Sequence, residues 1–65
     1  MTVPAPDTIR IYRDSLGEWR WIRRTPAGAT VSESRTAHTA RAAARIDVAH
    51  HNPDPATYLV EIART

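Results

Sequence analysis

Glu18-Trp19-Arg20-Trp21-Ile22-Arg23-Arg24 is the stretch that decides the fold. Side chains alternate between the two faces of a strand. The run therefore sets Trp19 and Trp21 on one side and Glu18, Arg20, Ile22 and Arg24 on the other. Aromatic, β-branched and arginine side chains at period two, with no helical stripe, read as a β-strand. Turn chemistry brackets it. Asp14-Ser15-Leu16-Gly17 precedes it, with Gly17 free to take a positive φ. Thr25-Pro26-Ala27-Gly28 follows, with proline second and glycine fourth as a type I turn prefers.

Upstream, Ile9, Ile11 and Arg13 share one face of an earlier strand, with Arg10, Tyr12 and Asp14 on the other. Downstream, residues 29–35 form a third strand, with Ala29, Val31 and Glu33 opposed to Thr30, Ser32 and Ser34. Short connections between consecutive strands favour an antiparallel meander. Helical period begins near residue 37, where Thr36 or Thr39 offers a capping oxygen. Ala42, Ala43, Ile46 and Ala49 follow one helix face, widened by Ala40, Ala44 and Val48, while Arg41 and Arg45 lie outside it. Asn52-Pro53 ends the helix, because the residue before proline avoids helical geometry.

The tail, residues 54–65, has two readings. Tyr58, Val60 and Ile62 alternate with Leu59, Glu61 and Ala63 as a strand. Asp54-Pro55 also opens a helix on which Ala56, Leu59, Val60 and Ala63 share a face. The β-branched content favours the strand. The expected fold class is α+β: a three-stranded antiparallel meander, one helix and a C-terminal strand, a β3-α unit joined to a second unit in a dimer. Trp19, Trp21 and Ile46 are the expected core. Residues 1–7, with two prolines and no apolar period, read as a flexible lead-in, and residues 8–65 as one domain.

A chain of 65 residues is one domain. It buries only about 60% of its unfolded surface, so stability is marginal. There is no cysteine, which excludes disulfides and thiolate metal sites and leaves self-association as the expected source of extra stability. No apolar run approaches the roughly 20 residues of a membrane span. The first seven residues lack the pattern of a signal peptide, so a cytoplasmic location is expected. All nine basic residues are arginine and the net charge is +2. GC-rich coding produces such a bias, and arginine's planar fork also suits phosphate and carboxylate partners.

Ile11-Tyr12-Arg13-Asp14, Gly17-Glu18-Trp19-Arg20-Trp21 and Gly28 before the third strand together resemble the YegP-like family, a domain of unknown function also called DUF1508. Ala42, Ala43, Ile46 and Ala49 are similar to that family's helix, and Asn52-Pro53-Asp54-Pro55-Ala56 to the segment after it. Ala27 stands where the family has Asn or Asp. The resemblance covers residues 9–60. It implies a β3-α unit that occurs in tandem or pairs with itself, two units joining into one sheet and exchanging their helices, and it implies no enzymatic activity.

The chemistry legible in the chain is sparse. Asp47 and His51 lie one helical turn apart, a workable spacing for two metal ligands, with His50 and Asp54 nearby. A polar helix end whose histidines complement the dipole accounts for the same residues. No metal and no cofactor is expected. There is no nucleophile motif and no phosphate-cradling glycine loop, so the chain is not expected to be an enzyme. The expected function is a non-catalytic, self-pairing interaction domain, a homodimer with Leu59, Val60 and Ile62 at its interface, open to a further protein partner. The alternative is a sequence-tolerant nucleic-acid-binding module using Arg10, Arg20, Arg23 and Arg24.

Overall fold

The computed structural model describes residues 5–63. Its elements run β1 (Asp7–Arg13), β2 (Trp19–Arg24), β3 (Thr30–Glu33), α1 (Arg41–His51), a single 3-10 turn (Pro55–Thr57) and β4 (Tyr58–Ile62). The fold is α+β, one four-stranded mixed sheet with one helix, and the strands lie in the order β3-β2-β1-β4. Asp7, placed by the sequence in the lead-in, is the first residue of β1. The rest of that segment up to Pro4 lies outside the described residues.

The two hairpins share one design. Gly17 N–H donates to Asp14 O at 3.0 Å and Asp14 N–H to Glu18 O at 2.8 Å. Gly28 N–H donates to Thr25 O and Thr25 N–H to Ala29 O, both at 2.9 Å. The glycines sit at φ +78 and +91. This is the three-residue hairpin loop in which a left-handed residue follows a turn, and only glycine takes that conformation without strain. Asp14 secures the first loop further, accepting from the N–H groups of Leu16 and Glu18.

β1 and β2 pair antiparallel with Ile9 opposite Arg23, Ile11 opposite Trp21 and Arg13 opposite Trp19. Residues paired directly share a face, so the alternation read from the sequence holds for both strands. β3 follows antiparallel but is shorter than expected, with a register shift beside Arg23/Arg24. The chain leaves β2 after Ser34 and returns at His38, which exchanges both backbone hydrogen bonds with Trp19.

The tail is a strand, as its β-branched content suggests, and it makes the sheet mixed rather than purely antiparallel. β4 pairs parallel to β1, Asp7 opposite Tyr58 and Ile11 opposite Ile62. Strand period fixes faces but not neighbours. Here the helix supplies the long crossover that a parallel neighbour requires.

α1 packs on β1 and β2 of its own chain. The core is Ile9, Ile11, Trp21, Ala44, Val48 and Tyr58, with Trp19 packed against it. Ile46 is not in the core as expected; it is 72% exposed. At about 100° per residue, Ile46 stands roughly 160–200° around the helix from Ala44 and Val48. The helix is turned so that Asp47 reaches Trp21, whose indole N–H donates to its carboxylate at 2.8 Å. An alanine-rich helix has several faces thin enough to pack, and this polar bond selects among them. Nor does a threonine cap the helix: the N-cap is Ala40, without a side-chain hydrogen bond. At the other end Asn52 closes it, donating from backbone and side chain to Val48 O.

Candidate functional site

One face of the sheet carries α1, and among the described residues nothing covers the other. Register places Thr8, Arg10 and Tyr12 of β1 beside Arg24, Ile22 and Arg20 of β2 on the uncovered face. Leu59 and Glu61 of β4 flank Thr8 and Arg10, and Glu33 of β3 lies beyond Ile22. Across the middle of the face the order is thus Glu61, Arg10, Ile22, Glu33, with the acids on the two edge strands.

The three arginines on this face differ in their bonds. Arg24 is exposed and makes no side-chain hydrogen bond or ion pair among the described residues. Arg10 Nε stands 4.0 Å from Glu61, both more than half exposed, a contact too long and too wet to hold it. Arg20 Nε donates to Asp14 at 2.9 Å. That bond holds the guanidinium above its ordinary pKa. The Glu18 backbone N–H, then Arg20, hold the Asp14 carboxyl below its usual range. Two shallow depressions of about 250 and 290 Å³ mark the face, and Arg10, Ile22 and Arg24 line both.

Arg23, grouped with these arginines on sequence grounds, lies on the helix side. Its Nε donates to Asp7 at 2.9 Å and its Nη1 to Asn52 at 3.0 Å, with the guanidinium 5.2 Å from the Tyr58 ring centre. It ties β1, the helix end and the start of β4 together, which is a structural role.

A second polar cluster lies on the covered side. Asp47 Oδ2 accepts from Trp21 and stands 3.3 Å from His38 Nε2; Oδ1 stands 3.1 Å from His51 Nδ1. Burial pushes the Asp47 carboxyl up, but the bonds from Trp21 and His38 and the nearby imidazoles outweigh it and hold the carboxyl below its ordinary value. An open cleft of about 610 Å³ between this cluster, β3 and the 35–36 loop is lined by Ser32, Arg35 and Thr36 among others. Among the described residues, no group of three or more His, Cys, Asp or Glu side chains is placed to hold a metal ion. Ser34 is spent on structure, its hydroxyl oxygen accepting from the Trp21 N–H.

Of the interface residues expected on β4, Val60 and Ile62 face the helix side and Leu59 the uncovered side. All three are exposed, and β4 has a strand neighbour on one side only. Alternation set Tyr12 on the face of Arg10, but the sequence reading did not count it among the binding residues. It also missed Asp47 as a core hydrogen-bond acceptor, for which spacing gave no signal.

No family model matches the chain, and no curated protein and no solved structure is similar to it. No helix among the described residues is long and apolar enough to cross a membrane.

Proposed function

We propose that the protein is a non-catalytic, self-pairing interaction domain of the cytoplasm, a homodimer joined along β4. One observation carries the reading. β4 is an edge strand whose Leu59, Val60 and Ile62 are 63%, 37% and 36% exposed. Bare apolar edges are templates for pairing, and folded proteins cover, charge or pair them. Val60 and Ile62 face the side that carries α1, but α1 sits over β1 and β2 and leaves that end of the sheet open. A second copy running antiparallel along β4 pairs the edge and covers these side chains. The small core, six buried apolar residues among those described, gives self-association a stabilising role. Light scattering at micromolar concentration tests it: a mass of two chains supports the proposal and a mass of one chain refutes it.

The uncovered face favours a second reading, binding to nucleic acid. Arg24 without a partner among the described residues, Arg10 loosely held and Tyr12 on the same face supply cationic and stacking groups. Loss of binding to a random-sequence oligonucleotide as salt rises is its signature, since phosphate neutralisation releases counterions.

A further inference from the structure

The distribution of charge on the uncovered face selects the kind of nucleic acid, and we infer that it takes a single strand rather than a duplex, the strand running between the sheet edges over Arg24 and Arg10 toward Tyr12. The inference rests on the nucleic-acid reading and narrows it.

Neighbouring strands lie about 4.8 Å apart, so this four-stranded sheet is about 14 Å across. A sheet that enters the major groove, itself about 12 Å wide, presents its two edges to the two phosphate backbones. Here those edges carry Glu33 on β3 and Glu61 on β4, level with each other across Arg10 and Ile22. Both phosphate walls of a duplex would meet a carboxylate. The arginines lie on the two central strands instead, Arg24 on one side of that row, Arg10 within it and Arg20 beyond it. A single backbone laid along the centre meets Arg24 and Arg10 and passes Glu61, 4.0 Å from Arg10, on one side only, whereas a duplex meets an acid at each wall.

The neutral groups of the centre fit the same occupant. Ile22 lies across from Arg10 and next to Arg24 along β2, and it lines both depressions. Tyr12, half-buried opposite Arg20, puts an aromatic side chain at the far end. Unpaired bases stack on aromatic rings and guanidinium planes, whereas paired bases have their faces hidden. From Thr8 to Tyr12 the central strand runs about 13 Å, room for a few nucleotides. Glu18 falls on the same face at the Arg20 end by alternation, so the Arg24 end is the more cationic.

Fluorescence anisotropy of the full chain with a labelled 12-nucleotide single strand, and with a duplex of the same length, tests this. The single strand is expected to bind at least tenfold more tightly at 50 mM salt. With two phosphate contacts, at Arg24 and Arg10, its log affinity falls with log salt at a slope of about −1.4, at roughly −0.7 per phosphate. Arg24→Gln should flatten that slope by about 0.7. Tyr12→Ala should weaken binding roughly 5- to 100-fold while Tyr12→Phe retains it. The double variant Glu33→Gln/Glu61→Gln should gain more affinity for duplex than for single strand. Equal or tighter duplex binding by the unmodified chain overturns the inference and leaves the nucleic-acid reading standing. Absence of binding to either probe overturns both. Slope loss in Arg41→Gln/Arg45→Gln, with Arg24→Gln unchanged, places the contact on the helix and overturns the site.

Discussion

The Trp21 indole N–H donates to the Asp47 carboxylate at 2.8 Å, joining the most buried ring of the sheet to the helix. The bond fixes the helix rotation, because a turn that buried Ile46 would carry Asp47 away from Trp21. Asp47→Ala leaves the indole N–H without its acceptor and should cost about 1–3 kcal/mol. Asp47→Asn keeps an acceptor oxygen and should cost less. Trp21→Ala should cost about 3–5 kcal/mol and unfold so small a domain. Trp19 is only partly buried, so Trp19→Ala should be the milder of the two truncations. Chemical denaturation of the four variants gives the ranking, and equal stability of Asp47→Ala and the unmodified chain would remove the bond from this account.

The same carboxylate sets the acid limb of stability. Asp14 and Asp47 are both held below their ordinary value of 3.8 in the folded chain. A depressed carboxyl binds fewer protons folded than unfolded, so its contribution is present above the unfolded value and is lost as pH falls through the folded one. His38, His51 and Trp21 are the groups that face Asp47. The melting temperature should therefore drop as pH is lowered below about 4. Asp47→Asn should melt lower at neutral pH and show a shallower acid limb. A limb of unchanged steepness in that variant would assign the acid sensitivity elsewhere.

Adjacent arginines separate structure from surface. Arg23 bonds Asp7, Asn52 and, at 3.4 Å, Thr57, so Arg23→Ala leaves a half-buried carboxylate and a buried amide oxygen unpaired. The expected loss is about 2 kcal/mol. Arg24 is exposed and bonds nothing among the described residues, and Arg24→Ala should change stability by less than about 0.5 kcal/mol. Thermal melts of the two variants read the difference, and a reversal would place the two side chains on the wrong faces.

Strand faces were legible in the sequence because alternation alone sets them. Ile9 and Ile11 against Arg10 and Tyr12, and Trp19 and Trp21 against Arg20 and Arg24, lie as the period requires. Both hairpins were legible through Gly17 and Gly28. Three features were not. The parallel seat of β4 beside β1 depends on which edge the crossover reaches, which no local pattern records. The helix rotation depends on a bond between residues 21 and 47, distant in the chain. Arg23 follows the tryptophan face by strict alternation, yet its type suggested surface; the partners Asp7 and Asn52 that make its burial favourable come from the far ends of the fold. The candidate site was legible as a set of arginines, but the acids at its edges became visible only with the strand order.

The last prediction concerns the two exposed isoleucines. Ile46 stands on the outer side of the helix and Ile62 on the bare edge strand. If β4 is the joint between two copies, the two positions respond differently to charge. A dimer binds its partner only when folded, so the melting temperature of the unmodified chain should rise with protein concentration. Ile62→Lys puts a desolvated ammonium in the joint; such inward charges are what natural edges use to prevent pairing. That variant should lose the concentration dependence and scatter as one chain. Ile46→Lys should keep both the dimer and the concentration dependence, since a lone exposed apolar side chain contributes little to either state. Val60→Lys should follow Ile62→Lys, because both lie on the same side of β4. Should Ile46→Lys alone abolish the dimer, the helix and not the edge strand would be the joint. Were the unmodified chain to melt at one temperature from micromolar to millimolar concentration, the single domain would be stable by itself.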